Sequence, residues 1–167
     1  MFHIKAPNII PSLDNAIKIF LAGSIEMGKA ENWQEKIANQ LSDYDNVIIL
    51  NPRRDDWNNT WVQDIRHTEF RTQVEWELSC LEQADIIVFN FIPDTISPIS
   101  LLELGKFADS AKTVVLCPDG YFRKGNIDIF CKRYSISQVN STDALIEYLE
   151  SFIINRALAN TMNPWKK

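Results

Sequence analysis

Four short apolar runs, separated by longer segments with helical spacing, constrain the fold of this chain more than any other feature of its sequence. Each run is rich in Ile and Val, which is typical of strands buried on both faces of a sheet. The runs are Ile17–Ala22, Val47–Leu50, Asp85–Phe91 and Lys112–Cys117, and a weaker fifth run is Tyr134–Val139. They predict the strands of a central sheet.

Apolar residues recur every three or four positions between these runs, which predicts amphipathic helices. The rows are Trp33, Ile37 and Leu41; Val74, Leu78 and Leu81; Leu101, Leu104 and Ala108; and Leu145, Tyr148, Leu149 and Phe152. Strands that alternate with helices form βαβ crossovers and parallel sheets. The sequence therefore predicts an α/β fold with a doubly wound, mainly parallel five-stranded sheet in three layers, flavodoxin/Rossmann-like.

The length and the charge of the chain restrict its organisation and its partners. The 167 residues suit a single domain, 1–167, in which residues 1–15 and 155–167 are predicted to be arms. With 17 Lys and Arg against 22 Asp and Glu, the net charge of −5 argues against binding to a nucleic acid polymer or an anionic membrane. No apolar stretch suits a signal or membrane-spanning segment, so we expect a cytoplasmic location.

The residue types that bind metals give no indication of a metal centre. Cys80, Cys117 and Cys131 lack the paired spacing of a zinc site. The two histidines, His3 and His67, are isolated in the sequence. We expect neither a metal nor a cofactor.

The predicted fold also indicates where a ligand binds. In doubly wound sheets, ligands bind beyond the carboxyl ends of the strands, where the strand order reverses. The segments that follow the predicted strands are Gly23–Ala30, Asn51–Trp61, Asn90–Ser100 and Pro118–Asn126. We expect the functional residues in these segments and in the helices that follow them.

The first of these segments, Gly23-Ser-Ile-Glu-Met-Gly-Lys-Ala30, nearly matches a phosphate-binding P-loop. Ala30, however, lacks the hydroxyl that would hold magnesium. The predicted strand Asp85–Phe91 also ends in Asn90, where an acidic magnesium ligand would be expected. A P-loop ATPase is therefore disfavoured. The alternative is a tight glycine turn that brings Gly23 and Ser24 close to a small ligand.

The second segment, Asn51-Pro-Arg-Arg-Asp-Asp-Trp57, is unusually rich in arginine and tryptophan. Arg53 and Arg54 could bind a carboxylate or a phosphate through paired hydrogen bonds. Trp57 or Trp61 could stack on a planar base. The alternative is a solvated loop in which the arginines pair with the two aspartates that follow them, and the sequence leaves both interpretations open.

The third segment runs from a strand end into a helix and carries the strongest candidate for chemistry. Pro98 suits the first position of a helix, which makes Ser97 its N-cap. Glu103 then lies almost two turns into the helix, on a face that points to the crevice. A carboxylate near a helix N-terminus should stay ionised, as a nucleophile requires. The alternative is a capping box between Ser100 and Glu103.

A second carboxylate precedes the third predicted strand. In Glu75-Trp-Glu77-Leu78, helical spacing leaves Glu77 on the flank of the buried stripe. Alone, it would be an ordinary surface glutamate. Opposite Glu103, it could instead orient the nucleophile or exchange a proton with the substrate, because two carboxylates in one site can serve separate roles.

The order and spacing of these motifs resemble the nucleoside 2'-deoxyribosyltransferase superfamily, which includes the deoxynucleoside 5'-monophosphate N-glycosidases. The similarity extends from Ile17 to about Leu149. The motifs that carry it are Ile19-Phe-Leu-Ala-Gly23, Asn51-Pro-Arg-Arg with Trp57, Gln73 ahead of Trp76-Glu77, Ala84-Asp-Ile-Ile-Val88, and Ser97-Pro-Ile-Ser-Leu-Leu-Glu103-Leu-Gly105.

The resemblance implies an enzyme that cleaves the N-glycosidic bond of a deoxynucleoside or deoxynucleotide and passes the sugar to a free nucleobase. It implies that Glu103 is the nucleophile, which forms a covalent deoxyribosyl-glutamate intermediate. It also implies that Glu77 is the carboxylate that holds the nucleophile and the sugar. Asn126 resembles an asparagine that reaches into the site of a neighbouring subunit, which implies a homo-oligomer with shared sites.

Two positions depart from the pattern of the transferases. Phe20 stands where the first strand often carries a tyrosine beside the nucleophile. Ser97 stands where the transferases have an aspartate that protonates the base, and the monophosphate glycosidases also have serine there. Asp94 and Asp128 are the nearest substitutes for that acid. The residues expected to contact the substrate are Phe20, Gly23, Ser24, Arg53, Trp57, Ser97, Ser100, Asn126 and Asp128.

Two other functions remain open from the sequence. The first is hydrolysis of deoxynucleoside 5'-monophosphates, for which Ser97, Arg53, Arg54 or Arg123 could hold the phosphate. The second is a nucleotide-binding module that has kept the fold without the chemistry, which the residues at positions 20 and 97 favour.

Overall fold

Parallel strands buried on both faces form the centre of the molecule. The computed structural model describes residues 1–26, 30–58 and 60–162, so the Gly28-Lys29 part of the P-loop-like segment lies outside the described residues. The strands are β1 (Phe2–Lys5), β2 (Ile17–Gly23), β3 (Val47–Asn51), β4 (Ile86–Asn90), β5 (Thr113–Leu116) and β6 (Ser137–Val139). The helices are α1 (Trp33–Gln40), α2 (Thr68–Gln83), α3 (Pro98–Phe107), α4 (Lys124–Arg133) and α5 (Thr142–Met162).

The strand order confirms the predicted doubly wound α/β fold. The sheet has the order β1-β3-β2-β4-β5-β6, and every neighbouring pair is parallel. From β2 the chain moves to β3 on one side, and it later continues through β4, β5 and β6 on the other. The strand order therefore reverses between β2 and β4, and this is the point at which such folds bind ligands.

Two hydrophobic clusters, one on each face of the sheet, give the three layers. Along β2, Phe20 and Ala22 belong to one cluster, whereas Ile19 and Leu21 belong to the other. This division follows from the alternation of side chains along a strand. The cluster around Phe20 includes apolar residues of α2, α3 and α4, and the opposite cluster includes those of α1 and α5. Both catalytic candidates, on α2 and α3, are thus carried by the same layer.

The sheet has six strands instead of the five predicted, because residues of the predicted N-terminal arm join it. Phe2–Lys5 pairs with β3 at the sheet edge, in register from Phe2 opposite Ile48 to Lys5 opposite Asn51. These four residues are exposed or only half-buried, so they lack the apolar run by which the inner strands were recognised. The first part of the predicted C-terminal arm, residues 155–167, is also helical, because α5 continues to Met162.

The helices and the cysteines bear on two further expectations from the sequence. Across residues 1–26, 30–58 and 60–162, no helix combines the length and apolar character needed to cross a bilayer. Cys80, Cys117 and Cys131 are free thiols buried in the core.

Candidate active site

The site begins where the carboxyl ends of β2 and β4 meet. Gly23 lies opposite Asn90 in the sheet register, and the Ser24 amide donates to the Asn90 carbonyl at 2.9 Å. Gly23 has φ +137°, and a Cβ built there would lie 2.2 Å from the Asn90 carbonyl oxygen. Only glycine fits this conformation and this close approach. It allows the chain after β2 to pack directly against the loop after β4.

Three hydroxyl groups fill the contact between these two loops. The Ser24 Oγ lies 2.6 Å from the Thr95 Oγ1 and 2.8 Å from the Ser97 Oγ, and all three residues are buried. The Ile92 amide donates to the Ser24 Oγ at 2.9 Å. Because buried hydroxyls need partners, this network fixes the shape of the loop between β4 and α3.

Helix α3 starts at the predicted residue, but its first turn is not capped in the predicted way. The helix begins at Pro98 with Ser97 as the N-cap residue, as predicted. The Ser97 side chain does not cap the helix, because its hydroxyl is bonded to Ser24. Ser97 and Asp94 both have left-handed backbones, with φ +48° and +63°. Such strain in non-glycine residues concentrates at functional sites.

A carboxylate that the sequence did not indicate takes over the capping of this turn. The Glu26 Oε1 accepts hydrogen bonds from the backbone amides of Ile96, at 2.8 Å, and Ser97, at 3.1 Å. Glu26 itself has a left-handed backbone, with φ +47°. Its partners lie 70 residues further along the chain, so no local pattern pointed to it; its only signal was its place in the segment after β2.

Glu103 lies on the face of α3 that is turned towards β2. Ser97, Ser100 and Glu103 follow one another at three-residue intervals, and all three are buried. The Ser100 hydroxyl donates to the Gly23 carbonyl at 3.1 Å, which directs this face to the end of β2. That contact also means that Ser100 and Glu103 do not form a capping box. Glu103 is 9% exposed and makes no hydrogen bond to another described residue, so its carboxyl group is available to a substrate.

Glu77 approaches the same crevice from α2 and is held there by an amide. The Gln73 Nε2 donates both to the Glu77 Oε1, at 2.7 Å, and to the Pro52 carbonyl, at 2.8 Å. Glu77 is only partly exposed, unlike the surface glutamate that was the alternative interpretation. The residue therefore has a fixed position between α2 and the loop after β3.

The two carboxyl groups affect each other's protonation. Burial raises the pKa of Glu77 to about 7, against a smaller lowering by the Gln73 hydrogen bond. Burial, followed by the negative charge of Glu77, raises the pKa of Glu103 to about 8. The expectation that the helix N-terminus keeps Glu103 ionised is therefore wrong for the substrate-free protein, because desolvation dominates. Near neutral pH the pair holds at least one proton, and a nucleophile and a proton carrier can share such a site.

The two arginines after β3 bind other groups of the protein. Arg53 donates to the backbone carbonyls of Ala30, at 2.8 Å, and Glu31, at 2.9 Å, and so joins the loops after β2 and β3. Arg54 pairs with Asp56 at 2.7 Å and lies 4.7 Å from the centre of the Trp61 ring. Arg54 and Asp56 therefore form the ion pair that the solvated-loop interpretation predicts. Asp55, the other aspartate of this loop, pairs with Lys5 instead.

Four buried side-chain atoms, in Trp57, Gln73 and Gln34, retain hydrogen-bonding capacity. Among the residues that the structure describes, the Trp57 Nε1, the Gln73 Oε1 and both amide atoms of Gln34 have no hydrogen-bond partner. The Trp57 ring contacts Trp61 edge to face at 5.2 Å. An unpaired buried donor or acceptor is costly unless a ligand or water engages it. The Trp57 Nε1 and the Gln73 Oε1 thus keep a hydrogen-bonding capacity that no described residue satisfies.

The remaining predicted residues lie in other surroundings. Phe20 is 1% exposed and packs in the core, 6.5 Å from Trp76 between ring centres. Asp94 is exposed in the loop before α3. Asn126 is exposed in the first turn of α4.

Asp128 belongs to a separate cleft on the β5 and β6 side of the sheet. Lys124 and Gln138 donate to its two carboxylate oxygens at 2.7 and 2.6 Å. These bonds hold the pKa of Asp128 below its usual range. The cleft has a volume of about 800 Å³ and also contains Cys117 and Val139. The loop after β5, which borders this cleft, contacts the loop before α3, because the Tyr121 hydroxyl donates to the Ile96 carbonyl at 2.8 Å.

Metal ligation has no support in the described ranges. No group of three or more His, Cys, Asp and Glu side chains there has an arrangement that could hold an ion.

Comparisons with known proteins identify the family. The chain is similar to a crystal structure of a conserved protein from Enterococcus faecalis V583, with 14% identity and a TM-score of 0.59. The match covers 81% of this chain and 98% of that one, and at such identity it shows the fold alone. A search of curated proteins gave no match. Residues 16–121, which include the crevice from Gly23 to Glu103, match the family model described as nucleoside 2-deoxyribosyltransferase like. The chain therefore belongs to the nucleoside 2-deoxyribosyltransferase-like family.

Proposed function

We propose that this protein is a nucleoside 2'-deoxyribosyltransferase in which Glu103 carries the sugar between two bases. The observation that supports this most is the buried Glu103 carboxyl group, which faces the switch point of the sheet with Glu77 alongside. A pair of carboxyl groups in one desolvated crevice is the arrangement by which retaining enzymes cleave glycosidic bonds.

In the first half of the reaction, an oxygen of the ionised Glu103 attacks C1' of the deoxyribose. The C1'–N bond breaks, and its electron pair stays on the departing base. The base takes a proton from a carboxylic acid, which lowers the cost of its departure. Because deoxyribose lacks the 2'-hydroxyl, the oxocarbenium-like transition state is easier to reach. The product is a deoxyribosyl ester of Glu103.

In the second half, a ring nitrogen of another base attacks C1' from the opposite face. The ester bond breaks, the electron pair returns to the Glu103 oxygen, and the incoming base loses one proton. Two displacements at one carbon give retention of configuration. Exclusion of water during the ester's lifetime separates transfer from hydrolysis.

In this proposal, Glu77 orients the sugar and the nucleophile. Its carboxylate is fixed by Gln73 and lies close enough to influence the charge of Glu103. Asp94, which is exposed at the loop before α3, is our candidate for the acid that protonates the base. The other candidate, Asp128, is engaged by Lys124 and Gln138 and is less suited to that role.

The substrates that suit the crevice are a deoxynucleoside and a free nucleobase. The Trp57 indole offers a flat surface and an unpaired N–H donor, which fits bases of more than one kind. We also propose a homo-oligomer in which Asn126 enters a neighbouring site. Its exposure is compatible with this, and Ile96 before α3 and Ile99 and Leu102 on α3 are 60%, 60% and 71% exposed.

Hydrolysis of deoxynucleoside 5'-monophosphates is the second candidate. It is favoured by the hydroxyl groups of Ser24, Thr95 and Ser97, which converge at the N-terminal end of α3.

The test is chromatography of two incubations with the purified protein. Thymidine with adenine should give 2'-deoxyadenosine and thymine, and Glu103→Gln should give neither. A deoxynucleoside 5'-monophosphate incubated alone should stay intact; free base and sugar phosphate would support the hydrolase instead. If neither incubation yields a product, the protein is not a glycosyl-transferring enzyme of this kind, and a binding module becomes the better account.

A further inference from the structure

The carboxylate of Glu26 accepts hydrogen bonds from the backbone amides just before α3. The Ile96 and Ser97 amides point to one oxygen, the Glu26 Oε1, at 2.8 and 3.1 Å. Adjacent amides at the positive end of a helix form a typical binding place for phosphate or carboxylate. In this protein the place is taken by a carboxylate of the chain itself.

The donors that Glu26 occupies lie at the N-terminal end of the helix that carries Glu103. Ser97 is six residues before Glu103, which corresponds to about 9 Å along a helix. Long side chains on a helix point back towards its N-terminus, which brings the Glu103 carboxyl group closer to residue 97. A deoxyribose with C1' at Glu103 and its 5' end directed towards the start of α3 would bring a 5'-phosphate towards the Glu26 carboxylate.

The charges around the crevice oppose a phosphate further. Of the arginines that the sequence offered for a phosphate, Arg53 is bonded to backbone carbonyls and Arg54 to Asp56, while Arg123 lies over the Phe122 ring after β5. A phosphate bound at the start of α3 would therefore meet the Glu26 carboxylate, and like charges at one site disfavour a ligand.

We propose that Glu26 determines substrate charge: it occupies the anion-binding donors of α3, so that the enzyme accepts uncharged 2'-deoxynucleosides and rejects their 5'-monophosphates. This inference rests on the proposed function and specifies its substrate class. Glu26 acts as an internal substitute for the phosphate, and the hydroxyl cluster beneath it keeps the donors in place.

Two substitutions separate the charge of Glu26 from its contacts. Glu26→Gln keeps an oxygen that can accept from the Ile96 and Ser97 amides and removes the charge. Glu26→Gly empties the position, and glycine suits the left-handed backbone found there, with φ +47°. Glu31→Gln is the matched control, because it removes one charge from an exposed side chain in the same stretch of sequence.

The experiment compares kcat/KM for cleavage of thymidine and of thymidine 5'-monophosphate by the four proteins. In the wild type and in Glu31→Gln, we expect a preference for thymidine of about 100-fold. In both Glu26 variants the preference should fall at least tenfold. Calorimetric binding of the monophosphate, which does not depend on catalysis, should tighten in parallel.

The outcomes separate this inference from the proposed function. If the wild type cleaves the monophosphate as well as thymidine, or if both Glu26 variants keep the wild-type preference, Glu26 does not select the substrate although the glycosidic chemistry stands. If no protein cleaves either compound, the proposed function fails and this inference fails with it. Tighter binding of the monophosphate to Glu31→Gln than to the Glu26 variants would also overturn it.

Discussion

Gln73 donates a hydrogen bond of 2.7 Å to Glu77 one helical turn further along α2, and the same amide nitrogen holds the Pro52 carbonyl. This bond ties the second carboxylate of the crevice to the loop that carries Trp57. Because both bonds use the Nε2 atom, the orientation of the amide is fixed. The Oε1 atom then remains without a partner in the described structure.

Replacing Gln73 by methionine should therefore reduce activity while leaving the fold intact. Methionine keeps the length of the side chain and removes the bonds to Glu77 and Pro52. A hydrogen bond to a charged group contributes enough to reduce kcat/KM about 10- to 100-fold when it is lost. Steady-state kinetics and a thermal melt measure the two effects. Unchanged kinetics in a folded Gln73→Met protein would mean that the orientation of Glu77 does not matter.

The pH dependence of kcat/KM should follow the ionisation of Glu103. Since the nucleophile must be ionised and its pKa is raised to about 8, the rate should increase with pH up to that value. Glu77→Gln removes the charge that contributes to this rise, so the acid limb should move to lower pH even as the rate falls. The control is Glu75→Gln, which removes an exposed charge from the same helix and should leave the limb in place. A limb that stays or moves upwards in Glu77→Gln contradicts the coupling.

Burial of Glu103 should also make the fold less stable at high pH. Because the pKa of Glu103 is raised from the ordinary value of 4.5 to about 8, the folded protein holds a proton between pH 4.5 and about pH 8 that the unfolded chain has released. Stability from this group is therefore present at low pH and is lost as the pH rises through that window. At pH 8.5 Glu103→Gln should be more stable than the wild type by about 2 kcal/mol, with little difference at pH 5. Denaturant unfolding at both values measures this, and a variant that is less stable at both would refute it.

Gly23 should tolerate no side chain, whereas Gly105 should. In Gly23→Ala the new Cβ would lie 2.2 Å from the Asn90 carbonyl oxygen, on a backbone with φ +137°. We expect a loss of about 3 kcal/mol in unfolding free energy, together with loss of activity. Gly105 lies on α3 with nothing near its Cβ position, so Gly105→Ala should stabilise the helix slightly. Equal effects of the two substitutions on unfolding would argue against the close contact of β2 and β4.

Much of this architecture could be predicted because its signals are local. The inner strands β2, β3 and β4 are continuous apolar runs, and α1 carries Trp33 and Ile37 on a buried face. The edge strand β1 could not be predicted in this way, because it has no apolar run of its own. It is a strand because it pairs with β3. Helix α4 was also missed, since only Ile127 and Cys131 mark its buried side.

The candidate site could be located in part for the same reason. Pro98 and Ser97 mark the start of α3 and so set the distance of Glu103 from the strand end. The contacts of Glu26 could not be foreseen, because they join two loops that meet only in the folded chain. The protonation of Glu103 could not be predicted either, because it depends on burial among distant residues and on the charge of Glu77.

The central claim, that Glu103 carries the sugar, is tested most directly by trapping the covalent intermediate. The protein is mixed with thymidine in the absence of an acceptor base, quenched in acid and digested, and its peptides are weighed by mass spectrometry. We predict that the peptide containing Glu103 becomes heavier by one deoxyribosyl group, and that Glu103→Gln yields no such species. Active turnover without this adduct, or with the sugar attached to another residue, would contradict the account.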